Sequence, residues 1–203
     1  MLHGQVVEPL TPHHRQHGVS VLLEVEELAG DWNTILGVAD RTTATVEENL
    51  DTPCIRNARC LLVTALAAAE NGDADAAQAL EDRANEVVQE GYDFVLGAPR
   101  ARLALARGDV DEALRHLPGG EPLRVGFALA STTARFDALA AAGERTTLER
   151  EAPRFLQPGT YVEPFALRAL GIVREDENLI GRAAARFDEL RLMWHASRTR
   201  ALL

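Results

Sequence analysis

The chain contains no lysine, because all 21 of its basic residues are arginine. This absence excludes a Schiff-base lysine, the lysine of a phosphate-binding P-loop and a lysine general base. Aromatic residues make up only 5% of the 203 residues, whereas hydrophobic residues make up 46%. Small side chains let helices approach closely, and alanine has the highest helix propensity. The composition therefore favours an all-α fold.

Cysteine is also scarce, since only Cys54 and Cys60 occur. Their spacing matches neither a redox C-x-x-C motif nor half of a zinc site. We therefore expect two reduced thiols in a core, as is typical of a cytoplasmic protein. The sequence shows no signal-peptide pattern and no apolar run long enough to cross a bilayer. The predicted location is cytoplasmic, without membrane association.

Negative charge is unevenly distributed along the chain, whose formal net charge is −10. Residues 1–100 carry 17 acidic residues and 6 arginines, whereas residues 101–203 carry 14 acidic residues and 15 arginines. An acidic chain repels the phosphate backbone of nucleic acids. We therefore expect no direct nucleic-acid partner.

A glycine followed by an acidic residue recurs after apolar, alanine-rich segments. The intervals between the four glycines are 42, 36 and 35 residues, a period typical of stacked helical hairpins. Glycine ends one helix in the left-handed conformation, and the acidic residue caps the next. The pattern predicts a right-handed α-solenoid of about five stacked hairpins with a C-terminal capping helix. The four pairs are Gly30-Asp31, Gly72-Asp73, Gly108-Asp109 and Gly143-Glu144.

Hydrophobic spacing predicts the individual segments. Residues 1–12 are expected to form an extended leader, and residues 13–203 a single helical-repeat domain. In the first helix, Val21, Val25 and Leu28 share one stripe, and residues 31–50 are predicted to form one continuous second helix. The third helix is expected to begin at 51–53 and to be apolar nearly all round. Pro153 is expected to end or kink a helix.

One segment, 101–117, is similar to a tetratricopeptide repeat. Gly108 matches the turn glycine of that repeat, and Ala113 matches the small residue at the helix crossing. Other stretches resemble the C-terminal repeat tails of actinobacterial LuxR-type regulators and of cyclases with an NTPase module. The resemblance implies an interaction or sensing module that works with separate effector domains. The stretches are Trp32, 52–54, 57–59, 169–176, 186–190 and 194–196.

Four charged residues are predicted to line the concave groove of such a stack. Counting back from each turn by the spacing of the repeat places Arg59, Arg102, Asp137 and Arg168 there. The planar, forked guanidinium groups of arginines in a groove can bind an acidic peptide or a carboxylate. Salt bridges between the layers of the stack explain the same residues almost as well, so both interpretations stay open.

Other candidate chemistry is weaker. His13 and His17 lie one helical turn apart, next to His14, but we expect surface histidines and no metal or other cofactor. The acidic residues near 24–27 and 47–48 are expected to face water, so no catalytic carboxylate pair and no enzyme is predicted.

The sequence thus predicts a non-catalytic module for protein–protein interaction. Its expected partner is a protein or peptide, acidic if the arginines bind it, or an effector domain of the regulator to which it belongs. The alternative is a sensor of a small ligand or peptide whose repeats change curvature on binding.

Overall fold

The computed structural model describes residues 11–52, 54–91, 93–117 and 127–203. Within these residues every regular element is helical, with twelve α-helices and two short 3-10 helices. The predicted all-α class is confirmed. No helix in the described ranges has both the length and the apolar character needed to cross a membrane.

Contacts divide the chain into two compact units, residues 1–106 and 107–203. The first unit contains six α-helices and a 3-10 helix, Asp93–Val95. Its α-helices are α1 (Pro12–Ala29), α2 (Trp32–Gly37), α3 (Ala39–Glu47), α4 (Arg56–Glu70), α5 (Ala74–Val87) and α6 (Gly97–Ala106).

The second unit contains the other six α-helices and a 3-10 helix, Ala152–Phe155. Its α-helices are α7 (Val110–Arg115), α8 (Ala128–Ala141), α9 (Arg145–Glu151), α10 (Glu163–Arg174), α11 (Glu177–Glu189) and α12 (Met193–Arg200).

Each unit is built around one enclosed helix. In the first unit α4 packs against α1, α2, α3, α5 and α6, and every residue from Asn57 to Ala68 is buried. In the second unit α10 packs against α8, α9 and α11, and every residue from Glu163 to Gly171 is buried. Helices that are apolar on all sides must be covered on all sides. The sequence prediction of an enclosed third helix is therefore confirmed by α4.

The predicted turns share a left-handed glycine, and an aspartate caps the next helix at the first three, whereas Glu144 at the fourth makes no capping hydrogen bond. The four turn glycines have φ values between 69° and 83°, in the left-handed region that glycine occupies without a steric penalty. After Gly72, the amide of Asp73 donates to the Ala68 carbonyl oxygen at 3.0 Å, and the Asp73 side chain accepts from the Ala76 amide. The turn thus closes one helix with a Schellman-type bond and caps the next.

A fifth turn of this kind lacks glycine. Glu175 has φ 55°, and the amide of Asp176 donates to the Gly171 carbonyl oxygen at 2.9 Å. The Asp176 side chain then accepts from the amides of Asn178 and Leu179. The same backbone geometry therefore forms at Glu175 with a residue that is strained in it.

Several helix boundaries differ from the predictions. The prediction of one continuous helix over 31–50 is wrong, because Val38 leaves the helical conformation (φ −117°, ψ 12°) between α2 and α3. Threonines follow this break, and their hydroxyls bond to backbone carbonyls, as Thr42 Oγ1 does to the Val38 oxygen at 2.9 Å. The third helix begins at Arg56, after a turn in which the Asn57 amide bonds to the Cys54 carbonyl oxygen.

Prolines mark the start of α1 and the end of α9. Pro12 opens α1, and the Thr11 side chain accepts a hydrogen bond from the His14 amide, so these two residues belong to the helix start rather than to the predicted leader. The rest of that leader, residues 1–10, lies outside the described residues. Helix α9 ends at Glu151, and Pro153 lies in the 3-10 helix that follows, as predicted.

Candidate functional site

Two arginines of the predicted groove converge on one buried carboxylate in the first unit. Arg59 Nη2 donates to Glu27 Oε2 at 2.5 Å, and Arg102 Nη1 lies 3.5 Å from Glu27 Oε1. The Glu27 side chain is 0% exposed, and those of Arg59 and Arg102 are 4% and 9% exposed. Helices α1, α4 and α6 each contribute one member. Because these buried charges have lost their hydration, each of them depends on its oppositely charged partner for stabilisation.

The third arginine, Arg168 on α10, is buried in a different environment in the second unit. Its Nη2 donates to Asp137 Oδ1 at 2.6 Å, and its Nη1 donates to Thr199 Oγ1 at 3.3 Å. Its guanidinium carbon lies 5.2 Å from the Phe165 ring centroid and 5.1 Å from that of Phe187. The cation is thus held by a carboxylate, a hydroxyl and two aromatic faces.

The structure therefore brings the predicted residues together as two groups, Arg59 with Arg102 and Arg168 with Asp137. Each arginine bridges helices inside its own unit, which is the arrangement expected of salt bridges between packed layers. Contact of these side chains with a partner in a groove stays a prediction.

The acidic residue that organises the first group was missed by the sequence analysis. Glu27 was expected to face water, and this expectation is wrong because Glu27 lies on the buried side of α1. The signal was present in the spacing of the buried stripe. That stripe consists of Gln16, Val19, Ser20, Leu23 and Glu27.

The apolar stripe of α1 is correspondingly exposed. Val21 is 54% exposed and Val25 is 57% exposed, whereas Gln16 and Glu27 are fully buried. A sequence interpretation that places the most apolar stripe inward predicts the opposite face. Helix α1 thus buries a mainly polar stripe, satisfied by specific partners, and leaves two valines one turn apart in contact with solvent.

Several of the remaining acidic residues of this region pair with arginines. Glu24 pairs with Arg56, and Arg83 donates two bonds of 2.7 Å to Glu47, which lowers the pKa of that carboxyl. Burial raises the pKa of Glu26, with a smaller contribution from nearby Asp31. Glu24 and Glu47 are thus partners of arginines, whereas Glu26 and Asp31 are neighbouring carboxyl groups.

The histidines near the start of α1 meet a cysteine from the segment before α4. His13, His17 and Cys54 have ligand-type atoms within 4.8 Å of one another. His17 Nε2 lies 3.5 Å from Cys54 Sγ, and the rings of His13 and His17 have centroids 4.3 Å apart. The pKa of His17 is lowered by burial and then by its neighbours His13 and Arg56. His13 and His17 are half-buried, whereas His14 alone is exposed as predicted.

Comparison with known proteins identifies no relative of this chain. No protein-family model, no curated protein and no solved structure matches it.

Proposed function

We propose that the chain is a non-catalytic protein-interaction module, built as a right-handed α-solenoid of about five tetratricopeptide-like hairpins. The hairpins α4–α5 and α10–α11 each pair an enclosed helix with a half-exposed one. Within the first unit, α4 packs against both α1 and α6. Stacked hairpins of this kind present extended surfaces to partners. The resemblance to the repeat tails of bacterial regulators supports the same role.

The observation that carries the proposal is the exposed stripe on α1. Val21 and Val25 are more than half exposed on a helix that buries a glutamine and a glutamate instead. This is the reverse of the usual distribution, in which apolar side chains are buried and charged side chains are exposed. An apolar stripe of this kind is typical of a surface that a partner covers.

The chemistry of the partner follows from the net charge of the first unit. The first unit carries 17 acidic residues and 7 arginines, a net charge of −10. Arg59 and Arg102 are buried against Glu27, so neither guanidinium group is exposed to a partner on the surface of the unit. We therefore propose that the partner is a protein segment with an apolar ridge and basic flanks. Two expectations from the sequence stay predictions. One is an acidic partner in an arginine-lined groove, and the other is a sensor whose repeats change curvature when a ligand binds.

The experiment begins with a photo-crosslinking amino acid placed at position 21 or 25 in the full chain, in living cells. Position 79 is the matched control, because Ala79 is exposed on α5 of the same unit. One protein should be crosslinked from both valine positions and not from position 79. That protein is then purified, and its affinity for the wild-type chain is measured by calorimetry.

The decisive variant is Val21→Asp with Val25→Asp. Two charges in an apolar contact should weaken binding of the purified partner at least about tenfold, with an unchanged melting temperature. Ala79→Asp should leave the affinity unchanged, and added salt should weaken the wild-type complex. Wild-type affinity in the double variant would overturn the proposal. Crosslinking only to a second copy of this chain would overturn it as well, in favour of self-association.

A further inference from the structure

One side-chain cluster in the first unit is independent of the exposed valine stripe. It joins two imidazoles and one thiol from segments that are far apart in the sequence. His13 and His17 lie on successive turns at the start of α1, and Cys54 lies two residues before α4. Their ligand-type atoms all lie within 4.8 Å of one another.

The separations suit a common metal ion. Zinc binds imidazole nitrogen at about 2.0–2.1 Å and thiolate sulfur at about 2.3 Å, so tetrahedral ligands stand about 3.6 Å apart for an S–N pair. The observed distance from Cys54 Sγ to His17 Nε2 is 3.5 Å. Two nitrogens on the same ion stand about 3.4 Å apart by the same geometry. The nitrogens of His13 and His17 lie within 4.8 Å of each other, so they need to approach by at most about 1.4 Å to reach that value.

The His13 side chain provides a second observation. Its Nδ1 atom is shielded from solvent and has no hydrogen-bond partner within the described part of the chain. A buried polar atom without a partner costs free energy unless an ion or a water molecule satisfies it. His14, the neighbouring residue, differs in that its Nδ1 lies 2.6 Å from Thr11 Oγ1 and its ring is exposed.

We propose that His13, His17 and Cys54 form a Zn²⁺ site with three protein ligands and an open fourth position. Two nitrogens and a sulfur select zinc over the hard cations Mg²⁺ and Ca²⁺, which require oxygen ligands. The Cys54 thiol now donates to Gln16 Oε1 at 3.5 Å, and binding of the ion displaces that proton. The thiolate then offsets one of the two charges of the ion.

The two cysteines have distinct roles in this arrangement. Gln16 is fully buried and donates from its Nε2 to Cys60 Sγ at 3.5 Å. Cys60 belongs to the enclosed core, and burial raises its pKa to about 12, so it stays protonated. A thiol with a single imidazole would be typical of a nucleophile. The second imidazole, His13, is what distinguishes the Cys54 cluster as a metal site.

Zinc at this position would join the start of α1 to the segment before α4. His17 and Cys54 are 37 positions apart, so the ion closes a long loop within the first unit. A ligand that binds only the folded state stabilises it in proportion to its saturation. At a hundredfold excess over the dissociation constant, zinc should raise the melting temperature of the full chain by roughly 5–10 °C.

The test uses Co²⁺ as a spectroscopic substitute for Zn²⁺ in the purified, chelator-treated full chain. Binding should produce a sulfur-to-cobalt charge-transfer absorption and the intense visible bands of tetrahedral cobalt, and Zn²⁺ should remove both. The chain has only two cysteines. In Cys60→Ser the sole remaining thiol is Cys54, so persistence of the charge-transfer band there assigns the ligand even if Cys54→Ser fails to fold.

Matched variants complete the experiment. Cys54→Ser should abolish the charge-transfer band, and His13→Ala or His17→Ala should weaken cobalt binding more than about a hundredfold. His14→Ala should bind cobalt as the wild type does. The proposal is overturned if the Cys60→Ser protein shows no charge-transfer band, or if His14→Ala weakens binding as much as His17→Ala. Binding of Cu⁺ without any binding of Co²⁺ or Zn²⁺ would also overturn it.

Discussion

The enclosed helices of the two units each bury an arginine, and they compensate its charge in different ways. In the first unit, Arg59 on α4 pairs with Glu27, a carboxylate that has no exposed surface. In the second unit, Arg168 on α10 pairs with Asp137, whose side chain is 26% exposed, and also lies over two phenylalanine rings. The charge of a buried arginine on an enclosed helix is thus compensated in two ways. In the first unit the carboxylate is fully shielded from water, and in the second unit the carboxylate is partly hydrated and aromatic rings contribute.

The difference lies in what remains if one partner is removed. Glu27 compensates two arginines, so its loss leaves two buried cations without their carboxylate. Asp137 can recover its hydration, because it already contacts solvent. Removing one member of a fully buried network is far more costly than removing an exposed one. The first unit should therefore be much more sensitive to neutralisation of its carboxylate than the second unit is to loss of its arginine.

The largest expected effect is that of Glu27→Gln. The change keeps the size of the side chain and removes the charge that two buried guanidinium groups share, so it should lower the free energy of unfolding by about 3–5 kcal/mol. Urea unfolding of the full chain measures this. The matched control is Glu48→Gln, because Glu48 pairs with Arg15 at the surface with a side chain that is 52% exposed. The control should change the stability by less than about 0.5 kcal/mol.

A companion variant sharpens the interpretation. Replacing Glu27, Arg59 and Arg102 together by Met removes all three charges and should recover most of the stability lost in Glu27→Gln. Equal stability of Glu27→Gln and Glu48→Gln would mean that the network is not a dry, interdependent one, and the contrast between the units would fail.

The second expected effect is that of Arg168→Met. Methionine retains much of the volume and packs against aromatic rings, and Asp137 is left able to hydrate. We therefore expect a loss of only about 1–2 kcal/mol in the same urea experiment. Arg59→Met should cost more, because Glu27 would then retain only Arg102 at 3.5 Å. If Arg168→Met proves as costly as Arg59→Met, exposure of the carboxylate is not what separates the two units.

The sequence predicted local features well and three-dimensional pairings poorly, for physical reasons. Turns at Gly30, Gly72, Gly108 and Gly143 are local, since a left-handed residue acts within a few residues, as does the capping aspartate of the first three. The partner of Glu27 lies 32 and 75 positions away, at Arg59 and Arg102, and no local pattern encodes such a distance.

Two further features depended on packing in the same way. The exposure of the stripe at Val21 and Val25 follows from packing, because hydrophobicity alone cannot show that α1 buries polar groups with specific partners. The meeting of His17 with Cys54 required the turn before α4 to be in place. The turn at Glu175 is local as well, although glycine is absent there and Glu175 adopts the left-handed conformation.

The third prediction compares that turn with one in the first unit. Glu175 has φ 55°, where a side chain is strained, so Glu175→Gly should raise the stability by about 1 kcal/mol. Gly72 has φ 83°, and a Cβ added there would have no atom within 4 Å. Gly72→Ala should therefore lower the stability by about 1 kcal/mol through backbone conformation alone. Opposite melting shifts would confirm that one turn geometry serves both units, whereas a loss of stability in Glu175→Gly would contradict it.

The smallest expected effect concerns two bidentate arginine–glutamate pairs, one in each unit. Arg135 donates to Glu151 at 2.9 and 3.0 Å, with side chains 20% and 18% exposed. Arg83 and Glu47 form the same contact with side chains 33% and 41% exposed. Hydrogen bonds from the arginine lower the pKa of the carboxyl in both pairs. The bidentate contact is thus the same in both pairs, whereas the exposure of the side chains differs.

A carboxyl whose pKa is lowered by folding stabilises the protein above its unfolded pKa of about 4.3, and this contribution is lost as the pH falls through the folded pKa. The stability difference between wild type and Glu151→Gln should therefore be largest above about pH 5, at up to about 1 kcal/mol, and should shrink below about pH 4. The difference for Glu47→Gln should be smaller, and about 1 M salt should remove it, because exposed pairs are screened. Urea unfolding at a series of pH values, at low and high salt, measures both. An equal or larger pH-dependent loss of stability in Glu47→Gln would show that burial does not set the strength of these pairs. The contrast between the fully buried ion network of the first unit and the partly hydrated one of the second would then lose its physical basis.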